Sequence, residues 1–379
     1  MNPFRYDGPV DPADLIDREP EAAELLDRAH EGHNARLVAP RRYGKTSLLK
    51  RLLADVERDG LVGVYVNFFG VLSLDDVADR VERAYTAQLK GPLGRWFAGV
   101  SRTLKPTLRA GGGPMPASAE VTLRAGQASL LDRLAVPAQL HAKHGRRVVV
   151  VFDEFQDVLR AGEQTDAIIR SEIEQHSGAA SYVFAGSQPG MMDELFGTRR
   201  RAFYGQAAPI ALGELAPADV ADYVGARFEA TGRDVGAALG PLLDLAGGHP
   251  QRTMLLAHHL WRHTGLGESA DSDAWLQTLI AVGHDLAGEL TAVWSGLTAT
   301  QQRILTAVAE NAAPLHGREV RARHNLPKTG ANLKAVAALI DAGELVPADG
   351  TVTGYRVVDP LLAVWLRGGR DWPYREDGR

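Results

Sequence analysis

Two groups of residues could do chemistry together. One is Gly44-Lys45-Thr46-Ser47, closing the stretch Pro40-Arg41-Arg42-Tyr43-Gly44-Lys45-Thr46-Ser47. The other is the carboxylate pair Asp153-Glu154. A lysine and a hydroxyl residue at the start of a helix suit a polyphosphate: Lys45 would reach the β- and γ-phosphates, and the Thr46 hydroxyl would hold Mg²⁺. Backbone N–H groups of such a loop converge on phosphate oxygens, and the helix N-terminus favours negative charge. Asp153 would then support the metal, while Glu154 would orient and deprotonate an attacking water. Each group alone has a plainer reading, as a basic helix start after a turn and as a helix cap. A cap accounts for one carboxylate, not for two beside a phosphate loop.

The elements that must position these residues are legible around them. Ala35 to Ala39 is a short, mostly apolar run that predicts a buried strand, and Lys45 to Leu53 opens a helix with one apolar face. Ala39 stands where the phosphate-loop pattern has its first glycine, a substitution that matters if that position needs a positive φ. Val62 to Phe68 is β-rich, and Leu74 to Leu89 reads as a helix with Asp75 and Asp76 in its first turn. Val148 to Phe152 has the continuous apolar pattern of a strand buried on both faces, and it delivers Asp153 and Glu154 at its end. Ala180 to Gly186 predicts another buried strand. In an open α/β sheet ligands sit beyond the carboxyl ends of strands, so Ser187 and Gln188 would face the γ-phosphate side. Ala208 to Leu212 would add a fifth strand. Arg199-Arg200-Arg201 is either a solvated surface or the source of a charge-stabilising finger, with Arg201 the candidate, in cis or towards a neighbouring subunit.

Residues 91–127 change character. Gly and Pro crowd around 110–116, with Leu104 to Arg109 and Ala119 to Arg124 reading as extended flanks, so the segment predicts a hairpin-like insertion. It is either a surface loop or a contact for a partner or nucleic acid through Arg95, Arg102, Lys105, Arg109 and Arg124. Gln127 to His144 reads as helical with a break near Pro137. From Pro217 the chain is helical in successive segments: Pro217 to Ala230, Val235 to Ala246, Pro250 to Arg262 and Ala274 to Val293. Pro250 suits a first helical position, and Arg252 in the same turn would either point back at nucleotide or face solvent. Three further helices, at Ala299 to Glu310, Gly317 to His324 and Lys328 to Ala342, precede a hairpin around Asp349-Gly350. That is a winged helix-turn-helix pattern. Its third helix offers Lys328, Thr329, Asn332 and Lys334 to a DNA groove, or the module packs as a lid on the core.

Composition sets the outer bounds. The chain has 379 residues, 45% hydrophobic and 23% charged, which suggests two or three globular domains. A net charge of −5 gives no global basic field for nucleic acid or an anionic membrane. There is no cysteine, so disulfides and thiolate metal sites are excluded. The first residues lack the apolar core of a signal peptide, and no apolar run is long enough to span a bilayer. The expectation is a cytoplasmic protein with no membrane partner.

Taken together, these residues resemble the archaeal-type ATPases of the AAA+/STAND P-loop group. The resemblance covers nearly the whole chain. It rests on Asn2-Pro3-Phe4, Ile16-Asp17-Arg18-Glu19, the stretch Pro40 to Leu49, Asp153-Glu154-Phe155-Gln156, Gly186-Ser187, Gly247-Gly248-His249-Pro250 and Tyr355 to Leu362. It implies an α/β P-loop NTPase fold with a parallel five-stranded core of order 5-1-4-3-2, a helical lid and a C-terminal winged helix-turn-helix. It further implies that Arg18 borders the adenine and that Ser187 is a sensor. Two positions depart from the family pattern: Gln206 follows Tyr204-Gly205 where an arginine is usual, and Asn67 replaces an acid ending the second strand. The expected organisation is an ATPase core at 1–214 with its insertion at 91–127, a lid at 215–296 and a winged helix at 297–379. The expected ligands are ATP and Mg²⁺. The nucleotide would be lined by Arg18, the loop Pro40 to Ser47, Pro250 and Arg252, with Glu154, Lys45, Ser187 and Arg201 acting on the phosphates and Thr46 and Asp153 on the metal. Three functions compete: a slowly hydrolysing molecular switch coupled to the winged helix, an ATP-regulated binder of double-stranded DNA, and a scaffold that keeps nucleotide without hydrolysis. A protein partner or a homo-oligomer fits each.

Overall fold

The computed structural model describes residues 1–104, 119–327 and 329–374. The Gly- and Pro-rich tip of the insertion, with Lys105 and Arg109, and Lys328 of the winged helix lie outside the described residues. The chain divides into two compact units: a core unit of Arg18–Ala39 with Lys45–Leu212, and a helical unit of Met1–Asp17, Pro40–Gly44 and Gly213–Arg379.

In the core unit, helices α1 (Glu19–Glu31), α2 (Lys45–Arg58) and α3 (Leu74–Gln88) alternate with strands β1 (Ala35–Val38) and β2 (Val62–Asn67). Then follow α4 (Gly91–Leu104), α5 (Ala119–Leu134), α6 (Val136–His144), β3 (Val148–Asp153), α7 (Thr165–Ile173), β4 (Ala180–Gly186), α8 (Pro189–Gly197) and β5 (Ala208–Ala211). The five strands form one parallel sheet in the order β2-β3-β4-β1-β5, which is the expected order read from its other edge. All six residues of β3 and all seven of β4 are buried, as central strands covered on both faces must be. Beneath them Phe152, Phe155, Phe184, Phe196 and Phe203 form one aromatic cluster with ring centroids 4.7–6.1 Å apart. The register sets Asn67 opposite Asp153 at the carboxyl end of the sheet. Ser73 caps α3 by accepting from the Asp76 N–H, and Pro137 sits in the first turn of α6 after the break at Ala135.

The insertion corrects one of the two expected extended pieces. Ala119 to Arg124 is helical and opens α5, residues 105–109 of the other piece lie outside the described residues, and α4 runs through Gly91, Gly94 and Gly99. Phe97 of α4 is buried against Tyr85 of α3, with ring centroids 5.5 Å apart. Tertiary packing thus overrides the poor helix propensity of three glycines.

The helical unit contains α9 (Pro217–Ala230), α10 (Leu239–Ala246), α11 (Pro250–His263), α12 (Ser272–Gly296), α13 (Ala299–Glu310), α14 (Arg318–Arg323) and α15 (Thr329–Asp341). The antiparallel pair β6 (Leu345–Pro347) and β7 (Tyr355–Val357) and a last helix, α16 (Pro360–Arg367), complete it. Three helices and a hairpin give the expected winged-helix pattern, with α13 opened by a Thr298–Gln301 capping box. Helices from the expected lid and from the winged helix share one apolar cluster, which includes Val224, Leu260, Leu290, Leu305, Leu339 and Leu361. Phe4 belongs to it too, 5.4 Å from the Phe228 ring, so the lead-in packs with this unit. One reading of α15 is corrected. Asn332, offered to a DNA groove, is fully buried beside Ala335, Val336 and Leu339 on the core face, while Leu333 is half exposed at 52%. The solvent face of α15 carries Ala331, Leu333, Lys334, Ala337 and Ala338.

Candidate functional site

Lys45 is the first residue of α2, where chain direction aims the helix N-terminus at the carboxyl edge of the sheet. Its ammonium is almost wholly buried and donates to the Ala39 carbonyl at 3.3 Å. Ser47 is buried on the same turn, and Thr46 is half-buried. Ala39 has no positive φ. The left-handed turn of the loop falls at Arg42 (φ 68°) and Gly44 (φ 85°), which is why alanine is tolerated where the motif has glycine.

Asp153 ends β3 and is buried. Its Oδ2 accepts from the Tyr65 hydroxyl at 2.5 Å and its Oδ1 from the Glu154 N–H at 3.0 Å. Burial pushes the Asp153 carboxyl above its ordinary range. The Tyr65 hydrogen bond pulls it down, the Glu154 charge pushes it up, and the Lys45 charge pulls it down again. Burial and the Asp153 charge push the Tyr65 phenol far up, so Tyr65 remains a donor across the neutral range. Glu154 takes a left-handed conformation (φ 51°, ψ 43°), uncommon for a side chain with a Cβ and concentrated at functional sites. Its Oε2 accepts from Ser187 Oγ at 2.6 Å and from Gln156 Nε2 at 2.5 Å. The core unit therefore gathers Lys45, Thr46, Asp153, Glu154 and Ser187 at one edge of its sheet.

Other expected residues are placed differently. Arg201 is held by Glu194 and lies 3.9 Å from Asp166, and these carboxylates keep it charged while Arg199 and Arg200 are exposed. Arg18 is buried in a positive-φ conformation at the start of α1, with Nη1 3.2 Å from Glu21 Oε1.

In the helical unit, Pro250 occupies the first turn of α11, as expected. Arg252 is fully buried. Its Nε donates to both oxygens of Asp359 at 3.0 and 3.1 Å, and Nη2 reaches Asp359 and, at 2.5 Å, Glu289. Glu289 also binds Arg42 of the loop that leads into α2. Asp359 is the N-cap of α16, accepting from the Leu361 and Leu362 N–H groups. Burial pushes the Asp359 carboxyl up, but the Arg252 guanidinium and the cap hold it below the usual carboxylate range. Despite burial, Asp359 and Glu289 hold Arg252 charged. Arg252 is thus committed to two carboxylates, neither of which is near it in sequence.

His249, beside this network, caps α11 by accepting from the Arg252 N–H through Nδ1 at 3.3 Å. Burial pushes its imidazole down to about 4 from the ordinary 6.5. The unfolded chain therefore takes up a proton that the fold refuses. The stabilisation is whole above pH 6.5 and is lost as pH falls towards 4, by at most about 3 kcal/mol. His249→Asn keeps a cap acceptor and should flatten that part of the curve in urea melts run across the window. An equally steep acid loss in the variant would clear His249 of the effect.

Tyr65, Gln156, Glu289 and Asp359 were not anticipated as site residues. Only Asp359 left a local signal, since Asp-Pro before an apolar run is a helix start. Among the described residues no group of three or more His, Asp or Glu could cage a metal. One buried carboxylate and one hydroxyl suit Mg²⁺, which keeps waters and takes the rest of its shell from phosphate. No helix among the described residues is long and apolar enough to cross a membrane.

No protein-family model and no curated protein sequence matches the chain. Solved structures do. The Walker-type ATPase paby2304 of Pyrococcus abyssi superposes with a TM-score of 0.70 at 19% identity, covering 96% of this chain and 99% of that one. The ORC2 protein of Aeropyrum pernix, in its ADPNP–ADP complexes, gives 0.58 at 16% identity, with 96% of each chain covered. At such identities the likeness is one of fold, and with the sheet order it bears out the expected α/β P-loop NTPase architecture.

Proposed function

We propose that the chain binds ATP with Mg²⁺ and hydrolyses it slowly, as a switch whose nucleotide state is read by the winged helix. The observation that carries this reading is the cluster at the sheet edge. A buried lysine opens α2, and its charge acts on a buried aspartate that precedes a glutamate held by Ser187. Pro40 to Ser47 would cradle the phosphates and Arg18 would border the base. Mg²⁺, held by Thr46 and Asp153, would neutralise charge developing on the phosphates. Glu154 takes the proton of a water whose oxygen attacks the γ-phosphorus, as the bond to the ADP oxygen breaks.

The coupling is supported by the chain of charges Arg42–Glu289–Arg252–Asp359. It runs from the phosphate loop to the cap of α16 within the helical unit. Phosphate charge near Arg42 competes with Glu289 for the same guanidinium, which would rebalance the carboxylate between Arg42 and Arg252. We assign the winged helix to this switch rather than to base reading, because Asn332 faces the core and the solvent face of α15 carries Lys334 among apolar residues. One assay separates the three functions: phosphate release with and without duplex DNA, paired with analysis of nucleotide retained through purification. A switch hydrolyses ATP at a rate indifferent to DNA. DNA-dependent turnover would favour the DNA-binding reading, and retained nucleotide with no release would favour the scaffold.

A further inference from the structure

We propose that Gln156 is a positioning residue for Glu154, fixing its carboxylate so that one chosen oxygen takes the proton; this rests on the ATPase reading above. Gln156 lies in the short turn Phe155–Arg160 that follows β3, and it is 1% exposed. Its Nε2 donates to Glu154 Oε2 at 2.5 Å, and Ser187 Oγ donates to the same oxygen at 2.6 Å. Two donors fill that oxygen. Among the described residues none donates to Oε1, so Oε1 is the oxygen left to face water.

The rest of the Gln156 side chain argues against a packing role. Its amide oxygen is buried with no hydrogen-bond partner. An unsatisfied buried acceptor destabilises the fold, a cost that a leucine or methionine at this position would avoid. Phe155 and Val158 of the same turn are fully buried apolar neighbours in sequence. The backbone also makes room for the amide. A Cβ on residue 186 would sit 2.6 Å from Gln156 Oε1 and 2.5 Å from Met192, and residue 186 is glycine. The amide cannot turn round, because its oxygen would then face the Glu154 carboxylate. A buried polar group kept at a cost beside a left-handed glutamate is what a functional constraint leaves behind.

The test uses the full chain with Gln156→Leu and, as a second shape without the donor, Gln156→Met. A general base freed from one of two anchors should lose about tenfold to a hundredfold in kcat. ATP affinity, read by equilibrium titration, should stay near that of the parent, and the thermal midpoint should not fall. In a Glu154→Gln background the same change should do nothing further to single-turnover hydrolysis. Unchanged kcat in a folded variant would overturn the proposal. So would a fall in ATP affinity that accounts for the rate loss, an additive effect in the double variant, or loss of the folded state in both variants. Failure of the parent reading looks different: the unsubstituted chain would neither bind nor hydrolyse ATP, and the positioning role would fall with it.

Discussion

Asp359→Ala should destabilise the helical unit by about 3–5 kcal/mol, the cost of breaking a buried ion pair from one side. Arg252 is fully buried and cannot shed its proton, so the charge stays when the partner goes. Asp359 supplies both oxygens to Nε and one to Nη2, and Glu289 alone would remain. Nη1 already lacks a partner, so no spare acceptor is at hand. The same substitution removes the cap of α16, a further loss of about 1 kcal/mol. The two terms share one carboxylate and will not simply add. Trp365 of α16 stacks edge-on to Trp294 of α12 at 6.1 Å, so tryptophan fluorescence in urea reports this region. Removing both charges together, as Arg252→Met with Asp359→Leu, should cost clearly less than Asp359→Ala alone, because the penalty lies in the orphaned cation. A midpoint for Asp359→Ala within error of the parent would mean that the pair is not buried as described.

The contrast between what was legible and what was not follows sequence distance. Val148 to Phe152 declares a central strand because burial on both faces forces an unbroken apolar run. The residues it delivers, Asp153 and Glu154, are legible with it, as are Lys45 and Thr46 behind the loop. Helices with local end signals are legible too, such as α9 after Pro217 and α11 after Pro250. The partners of Arg252 were hidden because they come from α12 and from the cap of α16, and no periodicity links such positions. Tyr65 is a β residue flanked by valines on β2, and only the register that sets Asn67 beside Asp153 brings its hydroxyl to Asp153. The insertion misled for a different reason. Glycine in α4 lowers intrinsic helix propensity, but the burial of Phe97 is a tertiary effect that composition cannot weigh.

Glu154→Gln should bind ATP and stop turning it over, with kcat reduced about a hundredfold to ten-thousandfold, the share a positioned general base contributes. The substitution is nearly isosteric. The new amide can place its oxygen where Oε2 stood, so the hydrogen bonds from Ser187 and Gln156 survive and the left-handed backbone is undisturbed. What disappears is basicity, because a carboxamide does not take a proton from water. Lys45→Ala acts on the other half of the site. It removes a buried ammonium that donates to the Ala39 carbonyl at 3.3 Å and whose charge acts on Asp153, and burying that charge is itself costly to the fold. Its loss leaves the triphosphate without a charge-assisted donor, and ATP affinity should fall by two orders of magnitude or more, about 3 kcal/mol. The pair is informative because the effects separate: one variant keeps binding and loses chemistry, the other loses binding. Fluorescent-nucleotide titration and phosphate release on the same preparations decide it. Equal turnover in Glu154→Gln would remove Glu154 from the chemistry, and unchanged affinity in Lys45→Ala would move the phosphates away from α2.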